Sequence, residues 1–291
     1  MRRRFPTAVI AGLTLVAVMA ALSAGCTQPK AATIAPKVGQ PAVKEAGVLR
    51  AGVDLAYPPF AGTDNGQQAG LDVDVAAALA QRLGLKLTLV DVQASDAATA
   101  LANGTADVVL SVPFSDAALA NLSLVGSYVS DASGFFVATD STASVEPTLT
   151  EQELPLPPAK IGAQAKSPAY WKLANDLGAD GVQNYPALRD AFQALDRHDV
   201  PVVAGDMLVG AYIARDYPNI HFAGQLGDGS LLGVGVAPDN TALADATRSA
   251  LDSLAADGVL DTIRLKWVGD LAKPKVAASV SASETKAVPT P

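Results

Sequence analysis

The 291-residue sequence predicts an α/β protein of two similar lobes, joined by two hinge strands with a cleft between them. Three observations carry this expectation. Residues 47–84 hold a strand, a proline-rich aromatic turn and an amphipathic helix in immediate succession. Placing Leu101 over Leu195 aligns ALANGTADVV with ALDRHDVPVV without a gap, each a helix end, a polar turn and a Val-rich strand, as an internal repeat requires. Two glycine-bearing, strand-like runs, residues 128–138 and 230–237, stand where the chain would cross from one lobe to the other and return.

In chain order, Val48, Ala51 and Val53 form a short apolar run suited to a buried strand. Pro58-Pro59 ends it, because proline lacks the N–H that a sheet ladder needs. The chain then turns at Tyr57 and Phe60. Asp72 stands at the expected N-cap, Val75, Leu79 and Leu83 recur every four residues, and Gly84 suits a left-handed C-cap. Ser167-Pro168 reads as an N-cap followed by proline at the first helical position. Asp206 precedes a helix that begins near Met207 and reads as its cap. A C-terminal helix pair breaks at Asp257-Gly258 and carries Leu251, Leu254, Leu260, Ile263 and Trp267 at helical spacing as core residues. The glycines of the crossing runs fit either a hinge or close packing within a sheet.

The ends of the chain speak to location. Arg2, Arg3 and Arg4 precede an uncharged apolar run, residues 8–22, and SAGC follows, ending at Cys26. That order predicts a signal peptide over residues 1–25 with lipidation of Cys26, the sole cysteine, and so an extracytoplasmic protein anchored to the membrane by lipid. An uncleaved membrane anchor is the alternative. Losing residues 1–25 removes three arginines and no acid, taking the formal charge from −8 to −11. So acidic a chain is no partner for nucleic acid. Residues 26–45 and 273–291 lack a hydrophobic period and read as a disordered tether and a disordered tail.

The order of parts in residues 47–84 closely resembles the opening of the family 3 extracellular solute-binding proteins, the amino-acid receptors of ABC importers. LANGTADVVLS, KIGAQAKSPAYW, ALDRHDVPVVAGD and LAADGVLDTIRLKWVG follow in the family's own order. The resemblance implies a periplasmic-binding-protein type II fold, with the first lobe in residues 46–133 and 228–272 and the second in 134–227. It also implies a small polar ligand, an ABC permease and ATPase as partners, a monomer, no cofactor and no catalysis. By the same resemblance Tyr57 and Phe60 line the cleft, Asp206 binds the ligand's α-amine, and Lys166 and Ser167 stand where the α-carboxylate is held. Ser111, Phe114 and Ser115 line the first-lobe wall. The family's carboxylate-gripping arginine is missing, since no arginine occurs between Arg82 and Arg189. Its absence leaves the ligand open: either Lys166 and the helix start at Ser167 meet a carboxylate, or the ligand is not an ordinary α-amino acid.

Two other functions fit the same fold, a cyclohexadienyl-dehydratase-like enzyme and a sensor-coupled binding lipoprotein. The enzyme also needs cations for its substrate's carboxylates, so the missing arginine counts against it. His198 and His221 lack metal-ligand spacing, and no GxSxG, Walker A or GxGxxG motif is present.

Overall fold

The computed structural model describes residues 35–114, 121–139 and 160–276. Cys26 and Ser115 therefore lie outside the described residues. The chain opens with β1 (Val48–Val53), whose Ala51 and Val53 are buried as the apolar run predicts. A small hairpin follows, β2 (Gly62–Asp64) with β3 (Gln67–Ala69), and leads into α1 (Leu71–Leu83). Val75, Leu79 and Leu83 face the core, and Gly84 closes α1 in the left-handed conformation at φ 70°. Next come β4 (Lys86–Asp91), α2 (Ala97–Ala102) and β5 (Val108–Pro113). The long β6 (Ser123–Ala138) precedes a second run of alternating elements: β7 (Ile161–Gln164), α3 (Pro168–Leu177), β8 (Val182–Tyr185), α4 (Leu188–Asp196), β9 (Val202–Asp206) and α5 (Met207–Ala214). Another long strand, β10 (Ile220–Val236), returns to α6 (Thr241–Ala256) and α7 (Val259–Val268).

Strand order in the main sheet is β4-β1-β5-β10-β6-β9-β7-β8. The three strands at each end are mutually parallel, while the central strands β10 and β6 are antiparallel to each other, and each is antiparallel to the flank it borders, β10 to β5 and β6 to β9. This topology is the physical form of the repeat seen in the sequence, since α2–β5 and α4–β9 occupy matching places on either side of the two crossing strands. Both crossing strands are longer than their apolar runs suggested, and β10 carries repeated register shifts along β6.

Three sequence expectations are corrected. Asp72 is not the cap of α1: the N-cap is Gly70, and Asp72 sits buried inside the first turn. The leading N–H groups are met by main chain instead, Leu71 N donating to Pro59 O and Asp72 N to Phe60 O, both at 2.8 Å. The tether does not extend to residue 45. Val43 is fully buried, Lys44 N donates to Asp107 Oδ1 at 3.0 Å and Asn240 Nδ2 to Ala42 O at 2.8 Å. Nor does the tail begin at residue 273, because Gly229 N donates to Lys275 O and Lys275 N to Gln225 Oε1, each at 2.8 Å. In all three cases the deciding partner is remote in sequence, which local composition does not report. Burial of a valine contributes on the order of 1.5–3 kcal/mol. Val43→Ala is therefore expected to lower unfolding free energy in urea by about 1–2 kcal/mol, whereas a solvated tether residue would leave it unchanged.

The C-terminal helices behave as read. Leu251, Leu254 and Ile263 are buried, Gly258 at φ 71° makes the break between α6 and α7, and the Trp267 indole N–H donates to Asp74 Oδ2 at 2.7 Å. Trp267 thus ties α7 to α1.

Candidate functional site

The turn after β1 reaches the end of β9. Tyr57 Oη donates to Asp206 Oδ2 at 3.3 Å, bringing together residues 149 positions apart. Tyr57 is half-exposed, while Phe60 is buried behind it with the two rings stacked at a centroid distance of 5.5 Å and an interplanar angle of 3°. Phe60 thus supports the Tyr57 ring and does not itself line the cavity described below. Main-chain bonds from Phe60 N and Ala61 N to Tyr57 O fix the turn, and Asp54 Oδ1 accepts from Ala56 N.

Asp206 is at once strand end and helix cap. Its Oδ1 accepts from Val209 N at 2.8 Å, as the capping expectation requires, which leaves Oδ2 facing Tyr57. Beside it stands a residue that the sequence did not single out. Asp131, in β6, is buried; its Oδ1 accepts from Ala132 N at 2.8 Å and Leu208 N at 3.2 Å, and its carboxyl shares a hydrogen bond with Asp206. Burial, then the charge of Asp206, pushes the Asp131 carboxyl up to about 9. Burial also raises Asp206, against hydrogen bonds from Asp131, Val209 and Tyr57 that favour its ionised form. Between them the two carboxyls therefore keep one proton at neutral pH, with Asp131 the protonated member. The Tyr57 phenol is likewise raised, first by burial and then by Asp206 and Asp131, so it stays a hydrogen-bond donor.

These groups line a cavity of about 330 Å³ that draws on both crossing strands, the start of α3 and the end of β9. Ser167 and Pro168 reach it from α3, where Ser167 Oγ accepts from Tyr170 N at 3.1 Å in the predicted N-cap. Asp228, Ser230 and Leu232 reach it from β10. Its charged lining among the described residues consists of Asp131, Asp206 and Asp228, with no lysine, arginine or histidine.

Other expected wall residues are used differently. Ser111, at φ 53°, donates its hydroxyl to Asp72 Oδ2 at 2.7 Å, and its N–H donates to Tyr128 Oη at 2.7 Å. Tyr128 Oη in turn donates to Asp72 Oδ1 at 2.5 Å. Burial raises Asp72 to about 6 despite these bonds. Ser111 thus serves an internal polar network and does not line the cavity. Phe114 is buried with Leu122 and Leu124, packed so closely on Gly233 that a Cβ there would lie 2.3 Å from its ring. Lys166, at φ 64°, is exposed and outside the cavity lining. The signal for Asp131 was present in the sequence: one acid inside the otherwise uncharged crossing run YVSDASGFFVA. What the run did not show was a carboxylate across the strand pair.

Known proteins align along most of this architecture. An arginine-binding periplasmic protein of Mannheimia haemolytica is 23% identical over 226 residues, covering 75% of this chain and 90% of its own length. An L-cystine-binding protein of Bacillus subtilis is 25% identical over 232 residues, covering 78% and 84%. Among solved structures, an ancestral cationic amino acid solute-binding protein superposes with a TM-score of 0.68 at 24% identity, covering 76% of this chain and 96% of that one. With the family pattern matched over residues 49–270, the chain belongs to the bacterial extracellular solute-binding proteins, family 3.

Proposed function

We propose that this protein is a lipid-anchored receptor that captures a small polar solute bearing an amine, an amino acid or a related amine, and delivers it to an ABC importer by closing its cleft. The observation that carries the reading is the contact between Tyr57 and Asp206, residues remote in sequence that together line a cavity sized for a small molecule. A carboxylate in a site that excludes water binds an ammonium through charge-assisted hydrogen bonds, and an aromatic face beside it favours the same charge. The arginine- and cystine-binding relatives support the ligand class. In this reading residues 134–227 form the second lobe and the crossing strands β6 and β10 act as the hinge. Ligand then shifts an open and closed equilibrium by its greater affinity for the closed form. The chain binds and releases without chemistry.

A thermal-shift panel of amino acids, amines and small acids tests this. A ligand at a hundred times its Kd stabilises the folded state by about 2.7 kcal/mol. Silence across the whole panel would sink the reading. For the anchor, Cys26→Ala is expected to abolish detergent-phase partitioning of the processed protein; unchanged mass and partitioning would remove the lipid.

A further inference from the structure

The charge of the cavity narrows the ligand further, granted the solute-binding reading above. We propose that the cleft takes a small organic cation without a carboxylate, an amine or guanidine, and that Asp131 and Asp206 hold its cationic head together.

An α-amino acid brings an anion as well as a cation, and the anion needs a partner. Between Lys86 and Lys160 the sequence has no lysine, arginine or histidine at all, so β5, β6 and the segments around them cannot supply one. On the opposite wall Lys166 is exposed and lies outside the cavity. The start of α3 offers only a partial positive charge, and the Ser167 hydroxyl, whose oxygen accepts from Tyr170 N, can add one neutral O–H donor but no charge. Three carboxyl groups border the same space. A ligand carboxylate would therefore face repulsion that a fraction of a helix dipole does not offset, while a second cationic group would be welcomed near Asp228.

Asp131 is what separates this cleft from a single-carboxylate amine site. Its Oδ1 is committed to two backbone N–H groups, and the bond it shares with Asp206 requires a proton between two acids. A ligand ammonium placed there donates to both carboxylates and displaces that proton to solvent, so the pair passes from one negative charge to two as one positive charge arrives. The titratable groups facing the pair are Tyr57 from the turn after β1 and Asp228 from β10, with Asp54 acting on Tyr57; none is cationic.

Calorimetry on the full chain with two matched pairs decides the question: agmatine against L-arginine, and 1,4-diaminobutane against L-ornithine. At least one amine is expected to bind tenfold or more tightly than its parent amino acid, with proton release visible as a dependence of heat on buffer ionisation enthalpy. Asp131→Asn is expected to weaken that amine at least tenfold and abolish the proton release, with the melting temperature preserved. Parent amino acids binding as well as or better than the amines would overturn the inference, and so would no binding of either amine. Both outcomes leave the solute-binding reading intact if the wider panel yields a ligand. An Asp131→Asn protein that binds the amine like wild type would reduce Asp131 to a support for the start of α5.

Discussion

Asp206→Asn is expected to lower affinity for the ligand found in the panel by roughly ten- to a hundredfold while the melting temperature of the free protein holds or rises. Asparagine caps a helix about as well as aspartate, so the bond to Val209 N survives. What is removed is the charge and the second acceptor oxygen, Oδ2, whose place an amide donor takes. A hydrogen bond to a charged group contributes on the order of 1.5–3 kcal/mol, and about 1.4 kcal/mol is tenfold in affinity. Stability does not suffer, because the substitution also takes away a buried negative charge that burial opposes. Calorimetry and a melting curve on the same preparation read both quantities. An affinity within about twofold of wild type would leave Asp206 as a cap alone.

The acid pair also sets a pH dependence. Asp131 holds its proton in the folded state up to about pH 9, far above the ordinary aspartate value of about 3.9. A raised folded-state value contributes stability that is complete below the unfolded value and lost as pH rises through the folded one. Asp72, raised to about 6, adds in the same sense over a lower range. The ligand-free protein is therefore expected to melt at falling temperature from pH 5 to 9, and Asp131→Asn to flatten the upper part of that slope. Cation affinity runs the opposite way, rising with pH as the competing proton is lost. A wild-type slope identical to that of Asp131→Asn above pH 7 would show that the pair does not share a proton.

Much of this architecture was legible because it is written in local physics. The period of Val75, Leu79 and Leu83, the caps at Ser167 and Asp206, and the left-handed glycines at 84 and 258 each depend on a few neighbouring residues. The echo of ALANGTADVV in ALDRHDVPVV exposed the two-lobe plan because both copies feed equivalent strands of one sheet. The site was legible only in part. Asp206 and Tyr57, which line the cavity, were singled out through resemblance, yet Asp131 acquires its meaning from Asp206 across β6 and β9, and no spacing within β6 announces that. Ser111 in β5 was expected on the cavity wall for the same reason, yet it turns to Asp72 and Tyr128. A strand assigns alternate residues to alternate faces but does not say which face meets the cavity until its neighbours are known. Asp72 misled because a polar residue at a helix start is usually a cap, and here main-chain carbonyls of the preceding turn had taken that role.

That same arrangement makes Gly70 the position where a single methyl group is expected to do most damage. Gly70 sits at φ 154° and ψ 170°, a region open in practice only to glycine. A Cβ there would lie 2.1 Å from Phe60 O and 2.6 Å from Ala61 Cα, and both obstacles are backbone. Relief requires moving the turn that holds Phe60, and Phe60 is what the Tyr57 ring stacks upon. Gly70→Ala should therefore cost about 3 kcal/mol, from strain and clash together, lowering the melting temperature by roughly 6–12 °C for a domain of this size. It should also weaken ligand binding although Gly70 touches no ligand, because Tyr57 would lose its place opposite Asp206. Gly66 supplies the control. It lies in the β2–β3 turn at φ 78° with nothing within 4 Å of an added Cβ, so Gly66→Ala should cost only about 1–2 kcal/mol of backbone strain and leave affinity unchanged. Should the two alanine variants melt alike and bind alike, the turn would be free to yield, and the rigidity assigned here to the Tyr57 side of the cleft would be lost with it.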